Sequence, residues 1–143
     1  SGYWKLPEET QKALKDGWLY TGDLATIDRE GYVNIVDRKK DMIITGGENV
    51  YSTEVEAVLY ENPKVLGAAV FGLPDEVWGE TVCAAVVLKP EEKADEQELI
   101  DFCKQRLARY KAPKRIFFLA ELPKTGSGKI AKRILRDQFK GEK

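Results

Sequence analysis

Ser52-Thr-Glu-Val-Glu-Ala-Val-Leu-Tyr-Glu61 is followed by Val65-Leu-Gly-Ala-Ala-Val-Phe71 and then by Thr81-Val-Cys-Ala-Ala-Val-Val-Leu88. In the first stretch Val55, Val58 and Leu59 fall at i, i+3 and i+4, one apolar face of a helix. Ser52 or Thr53 can cap its start, Thr53 and Glu56 stand in capping-box spacing, and Pro63 follows its end. The other two stretches are near-continuous apolar runs rich in valine and read as strands. A helix and two apolar strands in close succession point to an α+β domain.

The pattern continues in both directions. Downstream, Asp95–Arg109 reads as a helix with Leu99, Ile100, Cys103 and Leu107 inward, Arg115–Leu119 as a third strand, and Ala131–Phe139 as a last helix. Upstream, Met42–Ile44 reads as a short strand before a tight turn, Thr45-Gly46-Gly47-Glu48. The expectation for residues 42–143 is a small mixed sheet of about three strands packed by two helices. About 100 residues can bury a modest core. Residues 1–36 do not read as a complete domain. They offer a polar helix near Pro7–Lys15 and a β-hairpin, Leu24–Ile27 with Tyr32–Val36, turning at Gly31. Between the two regions stands a charged knot, Asp37-Arg38-Lys39-Lys40-Asp41. It is either a polar hairpin end or, at residues 37–41, a hinge between domains.

Composition narrows the chemistry. The formal net charge is −1 over 143 residues, so no global field favours nucleic acid or an anionic membrane. No run of ~18 apolar residues predicts a transmembrane helix. No secretory signal is read, so a cytoplasmic location is expected. There is no histidine, which removes His-based general bases, Ser-His-Asp triads and His-ligated zinc. Cys83 and Cys103 read as separate buried thiols. No metal site is expected, and any chemistry must run on Lys, Arg, carboxylates and backbone.

One loop suits that chemistry. Leu122-Pro-Lys-Thr-Gly-Ser-Gly-Lys-Ile130 surrounds Lys129 with two glycines, a serine and a threonine. Such a loop can bring backbone N–H groups and an ammonium to an anion. Taken alone, it reads first as a solvated turn that happens to hold a lysine.

Six ordered motifs decide between these readings: Gly2-Tyr3-Trp4 with Pro7-Glu8-Glu9-Thr10, Tyr20-Thr21-Gly22-Asp23, Asp37-Arg38-Lys39-Lys40-Asp41, Gly46-Gly47-Glu48-Asn49, Tyr110-Lys111-Ala112-Pro113-Lys114, and Pro123-Lys124-Thr125-Gly126-Ser127-Gly128-Lys129. In this order they resemble the C-terminal part of the adenylate-forming superfamily: acyl-CoA synthetases, peptide-synthetase adenylation domains and beetle luciferases. The resemblance implies that residues 1–36 are the tail of a large N-terminal AMP-binding domain, 37–41 the hinge and 42–143 the mobile C-terminal domain. It implies ATP, Mg²⁺ and CoA as cofactors, with Mg²⁺ not ligated by these residues. It implies a carboxylic, expected fatty, acid as substrate.

By the same resemblance, Lys129 bridges the acid carboxylate and the α-phosphate while acyl-AMP forms. Asp23 binds the ribose hydroxyls and Arg38 contacts the nucleotide. Without the resemblance the first reads as a loop-capping carboxylate and the second as a solvated charge. Lys40 matches the pivot, and its lysine form leans away from peptide-synthetase domains. Gly46 and Gly47 match a wall of the pantetheine tunnel; a turn needing positive φ explains them equally. Trp78, Tyr110 and Lys114 match positions that hold the CoA nucleotide in some members, and core or rim packing is open for both aromatics.

The reading is an acid–CoA ligase that forms acyl-AMP and then the thioester. Loading a carrier protein, or acting as a non-catalytic docking module, are the alternatives. The phosphate loop and acid pocket are expected outside these residues, so the chain alone is expected to be inactive. Trp4, Trp18, Tyr20 and Tyr32 are expected to pack on the N-terminal domain; uncovered, they would give disorder or self-association.

Overall fold

Two compact units share the chain, one ending at Lys40 and the other beginning at Asp41. The computed structural model describes residues 2–141. In the first unit α1 (Pro7–Ala13) opens with proline in its first turn, Glu8 and Glu9 beside it and Lys12 in its last turn. This charge order complements the helix dipole. The helix stops short of Lys15, because β1 (Leu14–Lys15) pairs antiparallel with β2 (Trp18–Leu19). Asp16 and Gly17, both at positive φ, make the two-residue turn between them. β3 (Asp23–Ile27) and β4 (Val33–Arg38) form the expected hairpin. The Asp28 carboxylate accepts the N–H groups of Glu30 and Tyr32 across its turn. Regular elements therefore stand where disorder was one expectation, while Trp4, Trp18, Tyr20 and Tyr32 are all exposed.

The second unit contains β5 (Ile43–Thr45), β6 (Glu48–Val50), α2 (Ser52–Glu61), β7 (Val65–Asp75), β8 (Gly79–Leu88), α3 (Glu96–Lys104), β9 (Arg115–Phe118) and α4 (Lys132–Phe139). Five strands make one mixed sheet in the order β6-β5-β8-β7, with β9 parallel to β8. Of the three strands read from the sequence, β8 is central, pairing β7 and β9. β5 and β6 extend the sheet as a short hairpin.

Alternation along the strands sorts side chains to two faces. Val65, Ala68, Val70, Val82, Ala84, Val86 and Ile116 join Val55 and Leu59 of α2 and Leu99, Ile100 and Cys103 of α3 in one core. Ala69, Phe71, Leu73, Cys83, Ala85 and Phe117 join Leu135 and Phe139 of α4 in the other. Covering both faces is why β7 and β8 read as unbroken apolar runs. A third helix, α4, thus adds to the two expected to pack the sheet. The rings of Phe117 and Phe139 stack at 3.9 Å between centroids.

The outer edge of β7 is closed by α2. Tyr60 Oη donates to the Ala68 carbonyl and accepts its N–H, and Glu56 Oε1 accepts the Val70 N–H at 2.8 Å. These contacts satisfy edge groups that would otherwise invite a further strand. Glu56 is therefore committed to β7, and the cap of α2 falls on Tyr51 rather than Ser52 or Thr53. The capping-box spacing at Thr53 and Glu56 does not coincide with that cap. The second expected helix ends at Lys104 rather than Arg109, capped at its start by Asp95, which accepts the Glu98 N–H. Both cysteines are buried and free. Burial pushes the Cys83 thiol up to about 12 and the Cys103 thiol to about 11.

Candidate functional site

A cleft of about 590 Å³ opens on the second unit, and Gly46, Trp78, Tyr110 and Lys114 all line it. Trp78 is 51% exposed and Tyr110 42%, so neither aromatic belongs to the core. The Lys114 ammonium lies 4.7 Å from the centre of the Trp78 ring, a cation–π distance. The Lys114 N–H donates to the Val82 carbonyl at 2.8 Å, which seats its backbone against β8.

Trp78 is held by the turn between β7 and β8. Asp75 Oδ1 accepts the N–H groups of Val77 and Trp78, each at 2.9 Å, and Oδ2 accepts the Thr81 hydroxyl at 2.7 Å. The Thr81 hydroxyl first, then the two N–H groups, hold the Asp75 carboxyl below its ordinary value, with Lys114 adding attraction and burial opposing. The Gly46-Gly47 loop between β5 and β6 lies next to that ring. Both glycines have positive φ, as a two-residue I′ turn requires. The Gly46 N–H donates to the Trp78 carbonyl at 2.8 Å, and a Cβ on Gly46 would meet Trp78 Cε3 at 2.8 Å. Gly47 has open space around it and does not line the cleft.

Lys104 and Arg109 also line this cleft, and neither was read from the sequence. Gln97, Ile100 and Lys104 project into it from α3 at i, i+3 and i+7, a helical-face spacing that could have marked them. An aromatic plane with three cations on its rim can stack a heterocyclic base and neutralise a phosphate.

Lys129 is placed elsewhere in the same unit, on a closed loop before α4. Lys124 and Ile130 bridge antiparallel. The Thr125 N–H donates to the Lys129 carbonyl at 2.7 Å, Gly128 N–H to Thr125, and Ala131 N–H to Pro123. Thr125 Oγ1 accepts the Lys129 N–H at 3.2 Å and lies 2.9 Å from Ser127 Oγ. The Lys129 side chain is exposed. No carboxylate among the described residues holds the Lys129 ammonium in an ion pair.

Asp23 and Arg38 belong to the first unit, where the register of β3 on β4 sets them opposite each other. Arg38 Nε lies 3.6 Å from Asp23 Oδ1, an exposed pair of small energetic worth. Thr21 Oγ1 accepts the Asp23 N–H, and the Lys39 N–H donates to the Gly22 carbonyl. Thr21, Gly22, Arg38, Lys39 and Lys40 line a shallow hollow beside them.

Comparison with known proteins extends this picture. The chain is 51% identical over 143 residues to a 2-methylpropanoate–CoA ligase of Humulus lupulus, covering 98% of this chain and 26% of that protein. It is 50% identical over 137 residues to the long-chain-fatty-acid–CoA ligase FadD13 of Mycobacterium tuberculosis, covering 96% and 27%. The crystal structure of ATP-bound MatB from Rhodopseudomonas palustris superposes with a TM-score of 0.89 at 39% identity, over 99% of this chain and 28% of that one. The chain thus spans about a quarter of the length of the relatives it matches. The model of the AMP-binding enzyme C-terminal domain matches residues 54–129, more than half of the chain. That range runs from the first turn of α2 through β7, β8, α3 and β9 to Lys129, and by it the chain belongs to the AMP-binding enzyme C-terminal domain family.

Proposed function

We propose that the chain serves an ATP-dependent acid–CoA ligase, working with an N-terminal AMP-binding domain. In the first half-reaction a carboxylate oxygen attacks the α-phosphorus of ATP, and the bond to pyrophosphate breaks. In the second, the CoA sulfur attacks the acyl carbonyl and AMP leaves, the thiol proton passing to solvent. The observation that carries the reading is the Lys129 ammonium: exposed, without an ion-pair partner among the described residues, on a loop whose backbone is fixed by its own hydrogen bonds. A cation held in that way can neutralise charge gathering between carboxylate and α-phosphate.

Asp23 and Arg38 fit contacts to the nucleotide, because a carboxylate accepts two hydrogen bonds from a vicinal diol. Trp78, Tyr110 and Lys114 fit the CoA nucleotide, with Gly46 and Gly47 beside the pantetheine. In this reading Mg²⁺ comes with the ATP phosphates. Lys40 fits a pivot, since the division between the units falls directly after it. Relatives named for a branched short acid and for long-chain acids match this chain equally well; a fatty acid is therefore one branch of the proposal. No helix among the described residues is long and apolar enough to cross a membrane, and a cytoplasmic location belongs to the same proposal.

The test uses the intact enzyme. Lys129→Ala should slow acyl-AMP formation by about 10²- to 10³-fold while thioester formation from supplied acyl-AMP stays within about threefold. Equal loss in both half-reactions overturns the assignment. Offering CoA and a holo-carrier protein side by side identifies the acceptor, and the isolated chain should release no pyrophosphate.

A further inference from the structure

The first turn of α4 begins three residues after Lys129 and lacks the usual supports. Its cap, Ala131, offers no side-chain acceptor. Its first turn carries Lys132 and Arg133 and no acidic residue, the sign that the helix dipole disfavours. Such a start should fray, and fraying would travel straight into the C-terminal leg of the Lys129 loop. The structure shows what tethers that turn instead. Lys132 Nζ lies 2.7 Å from Glu56 Oε1 and donates to Ser52 Oγ at 2.6 Å. The side chains of the ion pair are only 13% and 16% exposed. Glu56 Oε1 also accepts the Val70 N–H at the edge of β7. One carboxylate therefore ties α4 to α2 and to the sheet at once. One turn later on the same face, Arg136 Nη2 lies 3.4 Å from Asp41 Oδ1.

We propose that Lys132 and Glu56 are positioning residues for Lys129: their ion pair tethers the uncapped first turn of α4 and so fixes the root of the Lys129 loop. This rests on the ligase reading only for its kinetic consequence; the mechanical part stands on the contacts themselves. A cation whose supporting leg frays is misplaced on the scale that costs an enzyme rate. The pair touches no substrate in this account. It should therefore matter for the half-reaction in which Lys129 acts and not for the other.

The experiment takes the intact enzyme with Glu56→Gln, which keeps Oε1 for the Val70 N–H and removes the charge, and Lys132→Arg, which keeps the charge. Amide exchange is followed at Thr125, Gly128, Lys129 and Ala131, alongside both half-reactions and thermal unfolding. In Glu56→Gln those four amides should exchange about tenfold faster while β7 and β8 amides hold. Acyl-AMP formation should fall about tenfold or more, with thioester formation from supplied acyl-AMP within about twofold. Lys132→Arg should leave both near the wild-type values, because the ion pair with Glu56 is kept. Unchanged exchange in the loop overturns the proposal, and so does parallel loss of both half-reactions together with thermal stability. If the wild-type enzyme forms no acyl-AMP, the ligase reading fails, while loop exchange still decides the brace.

Discussion

Gly46 and Gly47 are neighbours in one turn, and a methyl group would meet different things at each. Both need positive φ, so alanine at either position strains the backbone by about 1–2 kcal/mol. At Gly47 that is the whole cost, because open solvent surrounds the position. At Gly46 the added carbon would press on the Trp78 ring at 2.8 Å and displace the surface over which Lys114 sits. Gly47→Ala should therefore lower the urea midpoint with little change in KM for CoA, whereas Gly46→Ala should lower the midpoint and raise KM for CoA severalfold. Equal KM values in the two variants would remove Gly46 from the cleft's function. Residue types alone left these glycines ambiguous between turn and wall. Only the ring packed against one of them separates the two.

The turn from β7 to β8 is built on Asp75. Its carboxyl lies below the ordinary value of 3.8 in the folded chain, so its support is present above that value and fades as pH falls through the lowered one. The Val77 and Trp78 amides should lose exchange protection in that acid range before the sheet amides do. Asp75→Asn, which keeps one acceptor oxygen, should hold the turn at neutral pH and flatten this acid response; an unchanged response would place the titrating group elsewhere. The length of this hairpin was the least legible element. β7 runs four residues past Phe71 through Gly72 and Pro74, both of which read as breakers. Pro74 is tolerated because β7 is an edge strand. Gly72 leaves room for the Glu80 carboxylate, which a Cβ would approach to 2.6 Å and which accepts the Ile44 N–H at 2.8 Å. β6 was hidden for another reason. Glu48 and Asn49 are poor strand formers, and only pairing across the glycine turn makes them one. The helices and inner strands were legible because their apolar spacing follows directly from which faces are covered.

Across the whole chain, the division after Lys40 is where a change of backbone freedom should register most. Lys40→Pro fixes φ near −65° and removes one N–H; it should damage thioester formation more than acyl-AMP formation, as read by burst and steady-state kinetics on the intact enzyme. Kinetics equal to wild type would take the pivot away from this residue. The cleft illustrates what sequence order conceals. Gly46, Trp78, Tyr110 and Lys114 are separated along the chain and meet only because the β5–β6 hairpin, the β7–β8 turn and the segment entering β9 converge. The resemblance assigned Trp78, Tyr110 and Lys114 to one nucleotide and Gly46 to the pantetheine beside it, but Trp78 stood in none of the six motifs, and Lys104 and Arg109 carried no motif at all. The two thiols have a practical consequence. At about 12 and 11, roughly one in 10⁴ to 10⁵ of either would be thiolate at neutral pH, and neither is solvent-accessible. Maleimide dyes should therefore ignore the native chain. Reporter cysteines at exposed Arg29 and Lys93, one in each unit, would label cleanly, and energy transfer between them during turnover would test whether the two units move against each other at all.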